Sequence, residues 1–182
     1  MRCPSCGGTN LNPSFLDDLF RAHTCKDCGG SWLLIEDYIT WKERNPEHIF
    51  NQNVLLEVED TKKALLCPIS GTIMQKYRIS HDTDHYLDYS ASVGGVWLDS
   101  GEWEYLKKHK LAGSLNKLFT SQWQKSIRQN STRLTFSDLY KEKFGEETYT
   151  KARNIREWLN NHPCKADLRS YILSEDPYST ER

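Results

Sequence analysis

The sequence predicts an α+β chain: two small β-ribbon modules in tandem, the first zinc-bound and the second without metal, each followed by a short helix, then an α-helical C-terminal region. Three observations carry this prediction. Four cysteines are spaced Cys-x2-Cys-x18-Cys-x2-Cys, at Cys3, Cys6, Cys25 and Cys28. The phrase Gly29-Gly30-Ser31-Trp32-Leu33 returns as Gly94-Gly95-Val96-Trp97-Leu98, without its cysteines. Beyond Gly113 the apolar residues fall three and four apart, the period of a helix.

The cysteine spacing lies within the range of a four-cysteine zinc site. Zinc takes four soft donors at tetrahedral corners, and each Cys-x-x-Cys turn offers two thiolates from one tight knuckle. Gly7 and Gly29, one place after each second cysteine, suit turns that need positive φ. Between the knuckles, residues 14–23 read as two short strands about Asp17-Asp18, which makes the module a ribbon. A thioredoxin-like dithiol would need a βαβ context for which there is no room. His23 lies near Cys25 but reads as a strand residue, because four cysteines already complete the shell. The expected cofactor is therefore one structural Zn2+ on Cys3, Cys6, Cys25 and Cys28.

After the ribbon, residues 32–41 pass from a strand into a short helix. Trp32, Leu34, Ile35, Tyr38 and Trp41 supply a small core, and Asn45-Pro46 ends the element. Residues 45–64 read as a connector that includes a strand at Val54–Val58. The pattern then restarts. Cys67-Pro68-Ile69-Ser70-Gly71 stands where Cys3-Pro4-Ser5-Cys6-Gly7 stood, at an offset of about 64. Ser70, Ser90 and Val93 occupy the places of Cys6, Cys25 and Cys28, so residues 65–111 are expected to form a degenerate ribbon that cannot hold zinc in the same way. Cross-strand aromatic pairs among Tyr77, Tyr86, Tyr89 and Trp97, and packing against the first ribbon, are expected to replace the metal. His81 and His85, with Asp82, Asp84 and Asp88, are expected to flank a solvent-exposed turn.

A helix is expected from Glu102, capped by Asp99 or Ser100 and closed by the basic run Lys107–Lys110 as a solvated tail. Residues 112–182 read as helices broken at Ser131-Thr132, at Gly145 and at Asn161-His162-Pro163, with a last helix at Leu168–Leu173. Their apolar stripes suit packing. No nucleophile elbow, phosphate loop or zincin helix is present in that stretch. Cys164, a lone thiol beside Lys165, reads as an inert surface cysteine. The domain boundaries follow as 1–44, 45–64, 65–111 and 112–182.

Residues 1–42 resemble the transcription-factor-IIB-like zinc-finger family. The resemblance rests on Cys3-Pro4-Ser5-Cys6-Gly7, on Cys25-Lys26-Asp27-Cys28-Gly29-Gly30-Ser31-Trp32-Leu33, and on the acidic Glu36-Asp37. Residues 65–108 resemble the family's closing phrase while missing its ligands. The resemblance implies zinc binding and says little about biological role, and it does not reach residues 113–182.

Charge narrows the function classes. The chain carries a net charge of −1, but residues 1–60 hold five Lys/Arg against ten Asp/Glu. A segment at −5 repels the phosphate backbone, whose neutralisation dominates nucleic-acid affinity. No apolar run approaches the ~20 residues of a membrane span, and the N-terminus shows no secretory leader, so a cytoplasmic location is expected. The expected function is a non-enzymatic, zinc-binding interaction module that contacts another protein. The alternative is a nucleic-acid-binding or transcription-related protein using basic residues outside the first ribbon.

Overall fold

Alternation of side chains along each strand sends successive residues to opposite faces of a sheet, and here both faces are put to use. The computed structural model describes residues 1–8, 11–51, 58 and 63–178. All of the strand expected at Val54–Val58 except Val58 itself lies outside them. The chain divides into two compact units, Met1–Ser131 and Thr132–Arg182.

The first unit is built on six strands: β1 (Leu11–Leu16), β2 (Phe20–Cys25), β3 (Ser31–Leu34), β4 (Gln75–Arg78), β5 (Tyr86–Ser90) and β6 (Gly95–Leu98). They form one antiparallel sheet in the order β1-β2-β3-β6-β5-β4. The β1–β2 hairpin turns at Asp17 and Asp18, both at positive φ (55° and 57°), a conformation that short polar side chains tolerate best after glycine. The sheet is continuous because β3 pairs with β6, placing Trp32 opposite Trp97.

On one face, Leu33, Val96 and Leu98 join Phe20, Tyr38, Leu87, Trp103 and Leu106 in the larger core. Helices α1 (Ile35–Arg44) and α2 (Glu102–Lys108), a 3-10 turn at Ala112–Ser114 and α3 (Leu115–Leu118) contribute to it. Tyr38, fully buried, donates its hydroxyl to the Ala112 carbonyl at 2.8 Å, and burial pushes its pKa up to about 12. On the other face Trp32 and Trp97 pack with Cys3, Cys25, Cys67, Leu65 and Met74. One face is therefore an ordinary aliphatic and aromatic core. The other is centred on sulfur and two indoles.

Several expectations change. Tyr77 and Tyr89 do pair, with centroids 5.7 Å apart, and Phe119 stacks on Tyr89 at 4.4 Å. Trp97 is absent from that group because its place in β6 points it to the opposite face. Lys107 is no solvated tail: it is buried and donates to Asp17 at 3.0 Å, in the hairpin turn of the first ribbon. Helix α4 (Ser121–Phe144) runs without a break through Ser131 and Thr132, since both residues continue a helix whose start is anchored elsewhere. That anchor is Trp123, which donates to the Ile79 carbonyl at 3.0 Å, and Gln124, which donates to Arg78 and Leu118 carbonyls at 2.8 Å each.

His85 and Glu102 depart furthest from the sequence reading. His85 is buried rather than on an exposed turn, because β5 begins right after it and carries it inward. Its Nε2 lies 2.8 Å from Glu102 Oε1, and its ring stacks on Tyr105. Neither Asp99 nor Ser100 caps α2 through a side chain; Gly101 sits at the cap with φ of 85°. The Glu102 carboxylate instead reaches back to accept the Asp99 N–H at 2.8 Å, which ties the first helical residue to the chain entering the helix.

Burial, partly offset by His85, pushes the Glu102 pKa from 4.5 up to about 7. The folded chain thus holds this proton more tightly than the unfolded chain. Stability from this group is complete below pH 4.5 and falls as pH rises through about 7, by on the order of 3 kcal/mol. Glu102→Gln keeps a polar group at the position and removes the titration. At saturating zinc, the wild-type denaturation midpoint is expected to decline over that interval relative to the variant. Parallel pH profiles would show that Glu102 does not titrate there.

The second unit comprises the C-terminal half of α4, α5 (Glu146–Asn161) and α6 (Lys165–Leu173). Gly145, at φ of 79°, separates α4 from α5 as expected. Cys164 is exposed at the start of α6. Among the described residues no helix is long and apolar enough to cross a membrane.

Candidate metal centre

The two knuckles are set by backbone hydrogen bonds before any metal is considered. The Gly7 N–H donates to Cys3 O at 3.1 Å and the Cys3 N–H to Gly8 O at 2.9 Å. In the second, Gly29 N–H donates to Cys25 O at 2.9 Å and Cys25 N–H to Gly30 O at 2.8 Å. Gly7 and Gly29 take positive φ, 72° and 75°, which closes each turn. Hairpin β1–β2 then brings the knuckles together, with Cys25 at the end of β2 opposite Leu11.

All four predicted ligands converge. The Sγ atoms of Cys3, Cys6, Cys25 and Cys28 lie within 4.8 Å of one another. Cys3 and Cys28 approach to 3.4 Å, Cys6 and Cys25 to 3.6 Å. A tetrahedron with Zn–S bonds of about 2.3 Å has corners ~3.8 Å apart, so the thiols already describe the shell of a zinc ion. The knuckle also prepares one thiolate: N–H groups, that of Cys28 foremost, lower the Cys25 pKa to about 7 against the effect of burial. Burial holds Cys3 and Cys28 above the usual thiol range, the state that a cation would reverse.

The surroundings of the centre were not legible in the cysteine spacing. Trp97, from β6, lies against the first ribbon: a Cβ built on Gly30 would stand 2.3 Å from its Cζ2. Its indole N–H donates to Ser5 Oγ and to Asp99 Oδ1, each at 2.8 Å, and Ser5 hydrogen-bonds to Asp99. Ser5 sits between two ligands, so residues 97–99 hold the first knuckle from outside the ribbon. The only sequence signal for this was the shared Gly-Gly-x-Trp-Leu phrase.

The same backbone pattern recurs at residues 67–71 and 90–94 without a metal shell. Gly71 N–H donates to Cys67 O at 2.9 Å and Gly94 N–H to Ser90 O at 2.8 Å, with φ of 70° at both glycines. Hydroxyls bond to one another here: Ser90 with Ser92 at 3.2 Å, Ser92 with Ser70 at 3.4 Å, and Ser70 with Thr72 at 2.8 Å. Cys67 is buried and accepts from the Ser70 N–H at 3.4 Å. The reciprocal indole contact is present too, with a Cβ on Gly95 falling 2.2 Å from Trp32 Cζ2. Here the chemistry diverges. Ile69 and Leu34 replace the Ser5 and Asp99 acceptors, and the buried Trp32 Nε1 has no hydrogen-bond partner among the described residues.

Comparison with known proteins agrees with the geometry. Residues 2–44 match the zinc-ribbon family described as "Transcription factor zinc-finger", and the match ends at residue 44. No curated protein and no solved structure matches the chain. Residues 2–44 are a zinc ribbon of this type, with a four-cysteine metal site.

Proposed function

With residues 2–44 taken as a zinc ribbon, we propose that the chain is a non-enzymatic interaction module whose zinc is structural and whose surfaces bind another protein, in the cytoplasm. The observation that carries this reading is the closed shell. Four thiols occupy all four corners, and a catalytic zinc needs one position left for water or substrate. The neighbouring groups, Ser5, Trp97 and Asp99, bond to each other and brace the knuckle. Residues 65–111 fit the reading as a metal-free counterpart of the ribbon, supported from the zinc-bearing side through β3–β6. The family's description favours a second reading, nucleic-acid binding, which the −5 charge of residues 1–60 opposes.

The test is affinity capture from the source cell with the zinc-loaded chain, alongside a gel shift at graded salt. A discrete protein partner that survives nuclease treatment is expected. Retardation of nucleic acid that weakens steeply with salt, with no co-purifying protein, would overturn the proposal.

A further inference from the structure

Helices owe most of their stability in a protein to an apolar face buried against something. In the second unit nothing of the kind is available from its own residues: none of residues 132–178 is buried. Phe136, Tyr140 and Phe144 form an i, i+4, i+8 stripe on α4 with exposures of 54%, 47% and 44%, and Ile155 and Trp158 on α5 are 55% and 54% exposed. Helix α5 packs on α6. Between α4 and α5 lies an open cleft of about 570 Å3. Near the Gly145 turn it is closed by Ser137 bonded to Tyr149 at 2.9 Å and by Lys141 facing Glu146 at 3.8 Å.

The lining of that cleft states what would fill it. Phe136 and Tyr140 supply apolar lining, and three arginines, Arg133, Arg153 and Arg156, line it as well. The one carboxylate in the lining, Glu157, stands 3.9 Å from Arg153. Arg133 and Arg156 form no ion pair among the described residues, so their charges are uncommitted. The lining positions recur at helical spacing on both walls (133, 136, 137, 140 and 149, 153, 156, 160), the repeat that a third helix would match.

We propose that this groove receives an acidic amphipathic helix of a partner protein, whose apolar residues meet Phe136 and Tyr140 and whose carboxylates meet Arg133, Arg153 and Arg156. The proposal rests on the reading of the chain as a protein-interaction module and names the partner's chemistry. A second copy fits poorly, because pairing the groove with itself would set one arginine cluster against another. Nucleic acid fits poorly as well. Residues 132–182 hold nine Lys/Arg and nine Asp/Glu, which leaves no net positive field to gather a phosphate backbone. Guanidinium forks meet carboxylates in bidentate pairs, and the flanking aromatics accept aliphatic anchors.

Selection of displayed random peptides, about 16 residues or four to five helical turns long, on the zinc-loaded full-length chain tests this. Enriched peptides are expected to carry Leu, Ile or Phe at helical spacing with Asp or Glu on the flanking positions. Their affinity is expected to fall about tenfold or more on the Arg133→Glu, Arg156→Glu double variant, with its zinc content and helical circular dichroism unchanged. A selection that enriches nothing, that enriches peptides without acidic residues, or that is indifferent to the double variant overturns the proposal. So does self-association, or retention of single-stranded oligothymidylate, that depends on the same two arginines. If cellular capture recovers a protein equally well with the double variant, the interaction module stands and the groove assignment falls.

Discussion

Replacing Cys25 by serine is expected to empty the metal centre and abolish the cooperative unfolding transition of residues 1–131. Structural zinc contributes on the order of 10 kcal/mol in small ribbon and finger modules, comparable to the whole stability of an ordinary domain, about 5–15 kcal/mol. Cys25 is also the least replaceable of the four ligands. It is 1% exposed, it ends β2, and its backbone closes the second knuckle through Gly29 and Gly30. Zinc analysis of carefully purified protein should give close to one equivalent for the wild type and almost none for Cys25→Ser. Near-ultraviolet circular dichroism should lose the tryptophan signal at the same time. The control is Cys67→Ser, at the knuckle whose partners are hydroxyls. It should cost stability, because the residue is 2% exposed, yet leave zinc content unchanged. A zinc-replete Cys25→Ser chain, or a zinc-free Cys67→Ser chain, would show the ligands to be misassigned.

The second large effect is steric. Gly30→Ala and Gly95→Ala should each destabilise the first unit by about 3 kcal/mol or more, at the upper end of overpacking costs. Each new methyl would lie 2.2–2.3 Å from an indole carbon of the opposing tryptophan. Trp32 and Trp97 are 1% and 0% exposed and cannot swing away without opening the β3–β6 seam. Neither glycine has positive φ, so alanine meets no backbone strain and the cost is purely one of space. Gly113→Ala, with nothing within 4 Å of its Cβ, is the matched control and should change stability by only about 0.5 kcal/mol. Urea titration followed by tryptophan emission reads all three. Destabilisation by Gly30→Ala no greater than that by Gly113→Ala would mean that the indoles have room to move.

Much of this was legible in the chain. Cysteine spacing alone picked out the four thiols that converge, because two knuckles and a hairpin leave them few other arrangements. Asp17-Asp18 marked the β1–β2 turn, and Gly145 marked the junction of α4 and α5, because both sites need positive φ. What escaped were partnerships made across long sequence separations. Lys107 read as a tail because its neighbours Lys108 and Lys110 are basic, but its partner Asp17 is ninety residues away. His85 read as a turn residue because Asp82 and Asp84 surround it, whereas its surroundings are set by Glu102 and Tyr105. Weak local propensity at Ser131-Thr132 predicts a break in α4, which a helix anchored through Trp123 and Gln124 overrides. The aromatic type of Trp97 suggests a place among the tyrosines, but its position on β6 decides its face.

The β3–β6 seam has a consequence for the order in which this protein can be made. A chain leaves the ribosome from its N-terminus, so residues 1–44, with all four zinc ligands, emerge while the strand that completes them is still untranslated. Until Gly95–Leu98 arrives, β3 is an open edge bearing Trp32 and Leu33, the kind of edge that invites wrong pairing. The Ser5 hydroxyl likewise waits for Trp97 and Asp99. A nascent ribbon can load its metal early and still stand half-finished. The interval during which roughly fifty more residues are translated is then the period of greatest exposure to misassembly.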